Sequence, residues 1–198
     1  NDTINGKATV TLRLLEPGNA VHIDLIPVNT NGKGMNSGFV EGNVVSGYSR
    51  SGKKLLISLN KTYPAGDTIR FTVGYSGIPA DGLIISKNKY GKRTFFSDNW
   101  PNRAHHWLPC VDDPADKAPV DFIITAPAHY QVVSNGIQVE ESNLPGNKKL
   151  SHWKEDVPLP TKVMVIGVAE FAVQHTGTIN DCIPVSTWVF PENKKEGF

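Results

Sequence analysis

The sequence predicts an all-β fold, with little or no helix. Three observations carry that expectation. Short runs alternate apolar and polar residues with a period of two, clusters of Gly, Pro, Asn and Asp separate the runs, and no stretch of about 12 residues shows helical periodicity. The first run, TVTLRLL, puts Val10, Leu12 and Leu14 on one face and Thr9, Thr11 and Arg13 on the other. TIRFTVGY does the same, with Ile69, Phe71, Val73 and Tyr75 against Thr68, Arg70 and Thr72. Such alternation is the pattern of half-buried strands, because successive side chains leave a strand on opposite faces.

The remaining elements follow in order. AVHIDLI, KLLISL, VDFIITA, YQVVS, KVMVIGVAEF and PVSTWVF are rich in β-branched and aromatic residues, which pack well on a pleated surface. EPGN, NTNGKG, RSGK, PAGD, NKYGK, SNG and LPGN supply turns between strands. ESNLPGNKK reads as an exposed hairpin loop. Core-facing positions are expected to include Val10, Leu12, Leu14, Ile69, Phe71, Val73, Phe122, Ile124, Val163 and Val165. At most one helical turn is expected, at Pro114 to Lys117, capped by Asp113. The strand count and turn spacing favour an antiparallel sandwich or a barrel-like sheet.

Bulk properties narrow the function classes. The chain has 198 residues, 39% hydrophobic and 20% charged, with a formal net charge of +1. That describes a folded globular domain large enough for a sizeable core. No basic surplus points to nucleic acid, and no apolar run approaches the ~20 residues that cross a bilayer. The chain opens NDTINGKATV, without Met or a signal pattern, so any export signal is expected to be removed or to lie upstream. Cys110 and Cys182 allow either one bridge or two separate thiols.

Chemistry concentrates in NWPNRAHHWLPCVDDPADKAP, Asn99 to Pro119. His105, His106, Cys110 and Asp112 are ligand types, but on a strand the adjacent histidines would point to opposite faces. There is no C-x-x-C or H-E-x-x-H. The histidines therefore read as one core or interface residue and one surface residue. Cys110 reads as a small buried thiol, and Asp112, Asp113 and Asp116 as turn caps. No G-x-S-x-G elbow or phosphate-cradling glycine loop occurs. Taken residue by residue, the chain is an all-β domain that holds no cofactor and has no self-contained catalytic machinery.

LPCVDDPADKAPV, through Pro109, Cys110, Asp112, Pro114, Lys117 and Ala118, resembles the PC-x-D-x-P-x-x-K-A signature of the zinc aminopeptidases that include aminopeptidase N and leukotriene hydrolase. GYSGIPADGLIIS resembles the family's Y-x-G…G segment through Tyr75, Gly77 and Gly82. YQVVSNG resembles its strand and turn through Ser134, Asn135 and Gly136. PLPTKVMVIGVAEF resembles a later strand through Pro158, Thr161, Val168 and Phe171, and the opening INGKATVTLRL resembles the first strands.

The resemblance covers nearly the whole chain. It implies a single saddle-shaped, sandwich-like N-terminal domain over residues 1–198, packed on a separate catalytic domain absent from this chain. That domain would carry zinc and process a peptide substrate. In the family, the loop before the PC motif offers a Glu or Gln to the peptide α-amine. Counting back from Cys110 puts that position at Trp100 and the preceding Gln position at Asp98. The resemblance therefore implies substrate-binding residues among Asp98, Asn99 and Trp100, and no catalytic or metal residue here. The segment Phe96 to Trp107 is expected to face the missing domain. The alternative is a stand-alone β-sandwich module binding carbohydrate or a protein, with Trp100, Trp107 and Trp153 as stacking platforms.

Overall fold

The computed structural model of the chain describes residues 2–198. It is 60% strand and 7% helix, all-β as the alternating pattern predicts. The strands are β1 (Ile4–Arg13), β2 (Gly18–Asp24), β3 (Gly34–Glu41), β4 (Val45–Ser51), β5 (Lys54–Tyr63), β6 (Thr68–Ile78), β7 (Leu83–Lys87), β8 (Arg93–Ser97), β9 (Lys117–Pro127), β10 (Gln131–Ser134), β11 (Ile137–Leu144), β12 (Lys148–Pro160), β13 (Ile166–Ala169), β14 (Ala172–Ile179) and β15 (Ile183–Val189). Among the described residues, no helix is long and apolar enough to cross a membrane.

The chain divides into two compact units. The first comprises Asn1–Ile84, Asp98–Ala118 and Pro158–Met164. It contains two three-stranded sheets, ordered β1-β6-β3 and β2-β5-β4. β1 pairs antiparallel with β6 so that Val10 lies opposite Phe71 and Leu12 opposite Ile69. The period-two apolar residues therefore share a face. Ile69, Phe71 and Val73 of β6 are buried, as are Met35 of β3 and, in the other sheet, Ile23 of β2 and Leu55 and Ile57 of β5. Each such side chain contributes about 1.5–3 kcal/mol by leaving water.

The second unit comprises Ile85–Ser97, Pro119–Val157 and Val165–Phe198. Its sheets are ordered β10-β13-β8-β7, β11-β12-β9 and the two-stranded β14-β15. Ser134 Oγ donates to the Val165 carbonyl at 2.7 Å, and Asn135 Oδ1 accepts the Val165 N–H at 2.7 Å. These bonds fix the approach of β13 beside β10. Gly136 follows with φ +80, and a Cβ there would sit 1.9 Å from the Lys154 carbonyl oxygen. The S-N-G turn thus needs its glycine for both conformation and space.

Two local expectations are corrected. Pro114 to Lys117 is not helical but a turn, in which Asp113 Oδ1 accepts the Ala115 N–H at 2.9 Å. The single-turn 3-10 helices lie instead at Ala104–His106, Thr161–Val163 and Pro191–Asn193, followed by a short α-turn at Lys194–Gly197. Val163, expected in the core, is 40% exposed. It belongs to the helical turn before β13, where period-two counting does not apply.

Candidate functional site

The loop running on from β8 is built around a buried asparagine. Asn99 is 1% exposed. Its Nδ2 donates to the carbonyls of Thr161 (3.1 Å) and Met164 (2.6 Å), and its Oδ1 accepts the Trp107 indole N–H at 2.9 Å. Its own carbonyl accepts the Arg103 N–H at 2.8 Å. Asn99 thus ties its own loop to the Pro158–Met164 segment of the first unit, and Ala104 and Trp107 in the same loop are buried. On the other side, the Asp98 N–H donates to the Gly82 carbonyl at 2.7 Å. Gly82 has φ +74, and a Cβ there would lie 2.1 Å from the Arg103 carbonyl oxygen. Only glycine permits that approach.

The residues flanking Asn99 face outward. Trp100 is 60% exposed, its peptide bond to Pro101 is cis, and the Lys162 ammonium lies 4.7 Å from its ring centre. The Asp98 carboxylate is half exposed and receives Arg103 Nη2 at 2.5 Å. Arg103 Nη1 reaches Asp81 Oδ1 at 3.3 Å, and its Nε donates to the Trp100 carbonyl at 2.6 Å. One guanidinium thus braces the loop at three points, a task suited to its planar fork of donors. Two carboxylates share this one cation, so the cluster keeps a net charge of −1. Sequence reasoning singled out Asp98 but missed Asp81 and Arg103; the sole signal was an unpaired Arg inside the loop. Trp107 is a core residue. Of the large apolar side chains from Trp100 to Trp107, Trp100 is the exposed one.

The PC-x-D segment has a different task. His105 and Asp112 have buried side chains, and His105 Nδ1 lies 2.5 Å from Asp112 Oδ2. The Thr161 hydroxyl donates to Asp112 Oδ1 at 2.6 Å. Burial pushes the Asp112 carboxyl up, but the hydrogen bonds from His105, Thr161 and the His105 backbone outweigh it and leave it below its ordinary value. Two separate sequence landmarks, Asp112 and Thr161, therefore meet directly. Cys110 exchanges backbone hydrogen bonds with Asp24. Burial, and then the charges of Asp112, Asp24 and Asp116, push its thiol well up, so it is a poor nucleophile. Cys110 and Cys182 are both free. Among the described residues, no three His, Cys, Asp or Glu side chains converge to hold a metal. His105 and Asp112 are occupied with each other, a donor set that does not fit zinc.

Comparison with known proteins is decisive on ancestry. The sequence model of the peptidase M1 N-terminal domain matches residues 1–163. The chain belongs to the peptidase M1 N-terminal domain family. Glutamyl aminopeptidase of Rattus norvegicus is 24% identical over 139 residues, covering 66% of this chain and 14% of that protein. Leucine aminopeptidase 2 of Neurospora crassa is 34% identical over 83 residues, 41% of this chain and 12% of that protein. The fold matches an M1 zinc metallopeptidase from Deinococcus radiodurans at TM-score 0.77 and 22% identity, over 94% of this chain and 42% of that one. A two-domain M1 zinc metallopeptidase bound to L-tryptophan matches at TM-score 0.78 and 21% identity, over 98% of this chain and 48% of that one. This M1 domain therefore spans under half of the solved relatives and about one-seventh of the rat enzyme.

Proposed function

We propose that this M1 domain is the non-catalytic N-terminal part of a zinc-dependent aminopeptidase, a hydrolase that removes N-terminal residues from peptides. In this reading residues 1–198 act as one N-terminal domain, packed on a catalytic domain that holds zinc and the reacting groups. Its contribution to catalysis is to cap the place where the substrate N-terminus sits, through Asp98, Asn99 and Trp100.

One observation carries the reading: the loop presents a half-exposed carboxylate on a rigid base, inside a cluster of net charge −1. A peptide N-terminus is an ammonium ion, and a charge-assisted hydrogen bond to it is worth about 1.5–3 kcal/mol. Asp98 accepts a hydrogen bond that the ammonium N–H donates. Arg103 orients Asp98 but does not neutralise the cluster, because Asp81 offsets it. Trp100, two residues along and 60% exposed, is the apolar wall for the first side chain. Asn99 is too buried to touch substrate and acts as the anchor that positions its two neighbours. The chain's own part is binding, orientation and exclusion of water; zinc, bound elsewhere in the parent, supplies the Lewis acid and the activated water.

Steady-state kinetics of the full-length enzyme test this. Asp98→Asn is expected to lower kcat/KM for free-amine peptides roughly 10- to 100-fold, the rate equivalent of the lost bond. An unchanged kcat/KM in a folded variant removes Asp98 from the site.

A further inference from the structure

Lys162 stands beside the candidate site, in the same unit of the chain, and has no part in amine binding. It sits on the helical turn Thr161–Val163, which is fixed at two points. The Thr161 hydroxyl donates to Asp112 Oδ1 at 2.6 Å, and the Thr161 carbonyl accepts Asn99 Nδ2 at 3.1 Å. Lys162 is half-buried, and its ammonium lies 4.7 Å from the centre of the Trp100 ring. The face of an indole attracts a cation, but it leaves the three N–H donors of an ammonium free for a better acceptor. Among the described residues no ion pair takes up that ammonium. Arg103, the neighbouring cation, is instead fully engaged by Asp98, Asp81 and the Trp100 carbonyl. The exposed Trp100 ring is therefore bordered by opposite charges, with the Asp98 carboxylate two residues before it and the Lys162 ammonium over its face. One buried side chain mounts both: Asn99 lies between Asp98 and Trp100 and bonds the carbonyl next to Lys162.

We propose that Lys162 is a specificity-determining residue that receives the side-chain carboxylate of the first residue, so that peptides beginning with Glu or Asp are the favoured substrates. The inference rests on the reading that Asp98 receives the α-ammonium group. An acidic first residue is dipolar at neutral pH, with an ammonium on its Cα and a carboxylate at the end of a short apolar stem. Laid along Trp100, it offers the ammonium to Asp98, its methylene groups to the ring and its carboxylate to Lys162. A basic first residue brings a second cation to Lys162 instead and is repelled, so attraction and repulsion select in the same direction. A lysine suits this task, because a compact ammonium on a flexible stem can follow either the shorter or the longer acid. Lys162 makes and breaks no covalent bond; it acts on binding alone.

Steady-state kinetics of the full-length enzyme on glutamyl and glutaminyl coumarinamides test this, since the two substrates share a shape and differ in one charge. At low ionic strength the wild-type kcat/KM is expected to favour the glutamyl substrate by at least about five-fold, the margin of a charge-assisted over a neutral hydrogen bond. Added salt is expected to narrow that ratio. Lys162→Gln should bring it close to one, and Lys162→Glu should invert it. A wild-type ratio of one or less, or no turnover of the glutamyl substrate, overturns the proposal, and that result needs no variant to fold. A ratio that survives in folded Lys162→Gln enzyme also overturns it, by placing the partner of the carboxylate elsewhere. Failure of the amine-binding reading shows separately. Asp98→Asn should lower kcat/KM for both substrates alike, whereas Lys162 variants change their ratio, so wild-type rates in the Asp98 variant would count against Asp98 and not against Lys162.

Discussion

A buried carboxylate beside a buried imidazole is tolerated only when both are fully bonded. Asp112 meets that condition with His105 and Thr161. Asp112→Ala would strand a ring nitrogen and a hydroxyl at once, and is expected to cost about 3 kcal/mol in urea unfolding; a loss under half of that would mean that water reaches the site. The pair also sets a pH dependence. The folded Asp112 carboxyl lies below its ordinary value of 3.8, so its stabilisation is present above that pH and is lost as the pH falls through the lower folded value. His106 is likewise held below its ordinary 6.5, chiefly by burial and then by the neighbouring His105 charge. Its contribution is lost as the pH falls from 6.5. Urea midpoints are expected to fall in both windows on acidification, and His106→Leu should flatten the upper one. A flat profile from pH 7 to 5 in the wild type would contradict the His106 part.

At the scale of elements, the loop is held at its start by the Gly82 carbonyl, which accepts the Asp98 N–H, and by the buried Asn99 side chain. Gly82→Ala is expected to destabilise by more than 1 kcal/mol, because it imposes a left-handed backbone on a side chain that also collides with the Arg103 carbonyl oxygen. Asp98→Asn, which alters a half-exposed ion pair, should change stability by under about 1 kcal/mol. Parallel thermal melts of the two variants check the contrast, and equal losses would show that the loop is not braced as described. The same elements mark what the sequence could reveal. β1 and β6 were legible because each has one wet face, so their alternation records burial directly. The turn Thr161–Val163 was not legible, because Asn99 holds it from 62 residues away and no local pattern carries that bond. A single turn such as Ala104–His106 likewise has no period to read. Asp98 could be located by counting from a motif, whereas its partners Asp81 and Arg103 come together only in the fold.

For the molecule as a whole, the family match and the strand content agree on one assignment, the peptidase M1 N-terminal domain. Zinc added to the chain is expected to leave its melting temperature unchanged, since a metal bound only by the native state would raise it. A rise of several degrees would reveal a site that the convergence of side chains does not indicate.

The first unit is assembled from stretches that the second unit interrupts twice. During synthesis its hydrogen bond between Asp112 and Thr161 has to wait for 49 further residues. At the usual 5–20 residues per second, that delay is roughly 2–10 s. Through that interval the nascent chain carries a buried-type aspartate and its histidine without the threonine that completes them. Asn99 waits longer still, for Met164. A polypeptide released before that point would leave Asn99 and Asp112 without the partners that bond them, a form that chaperones and proteases would meet before any substrate could.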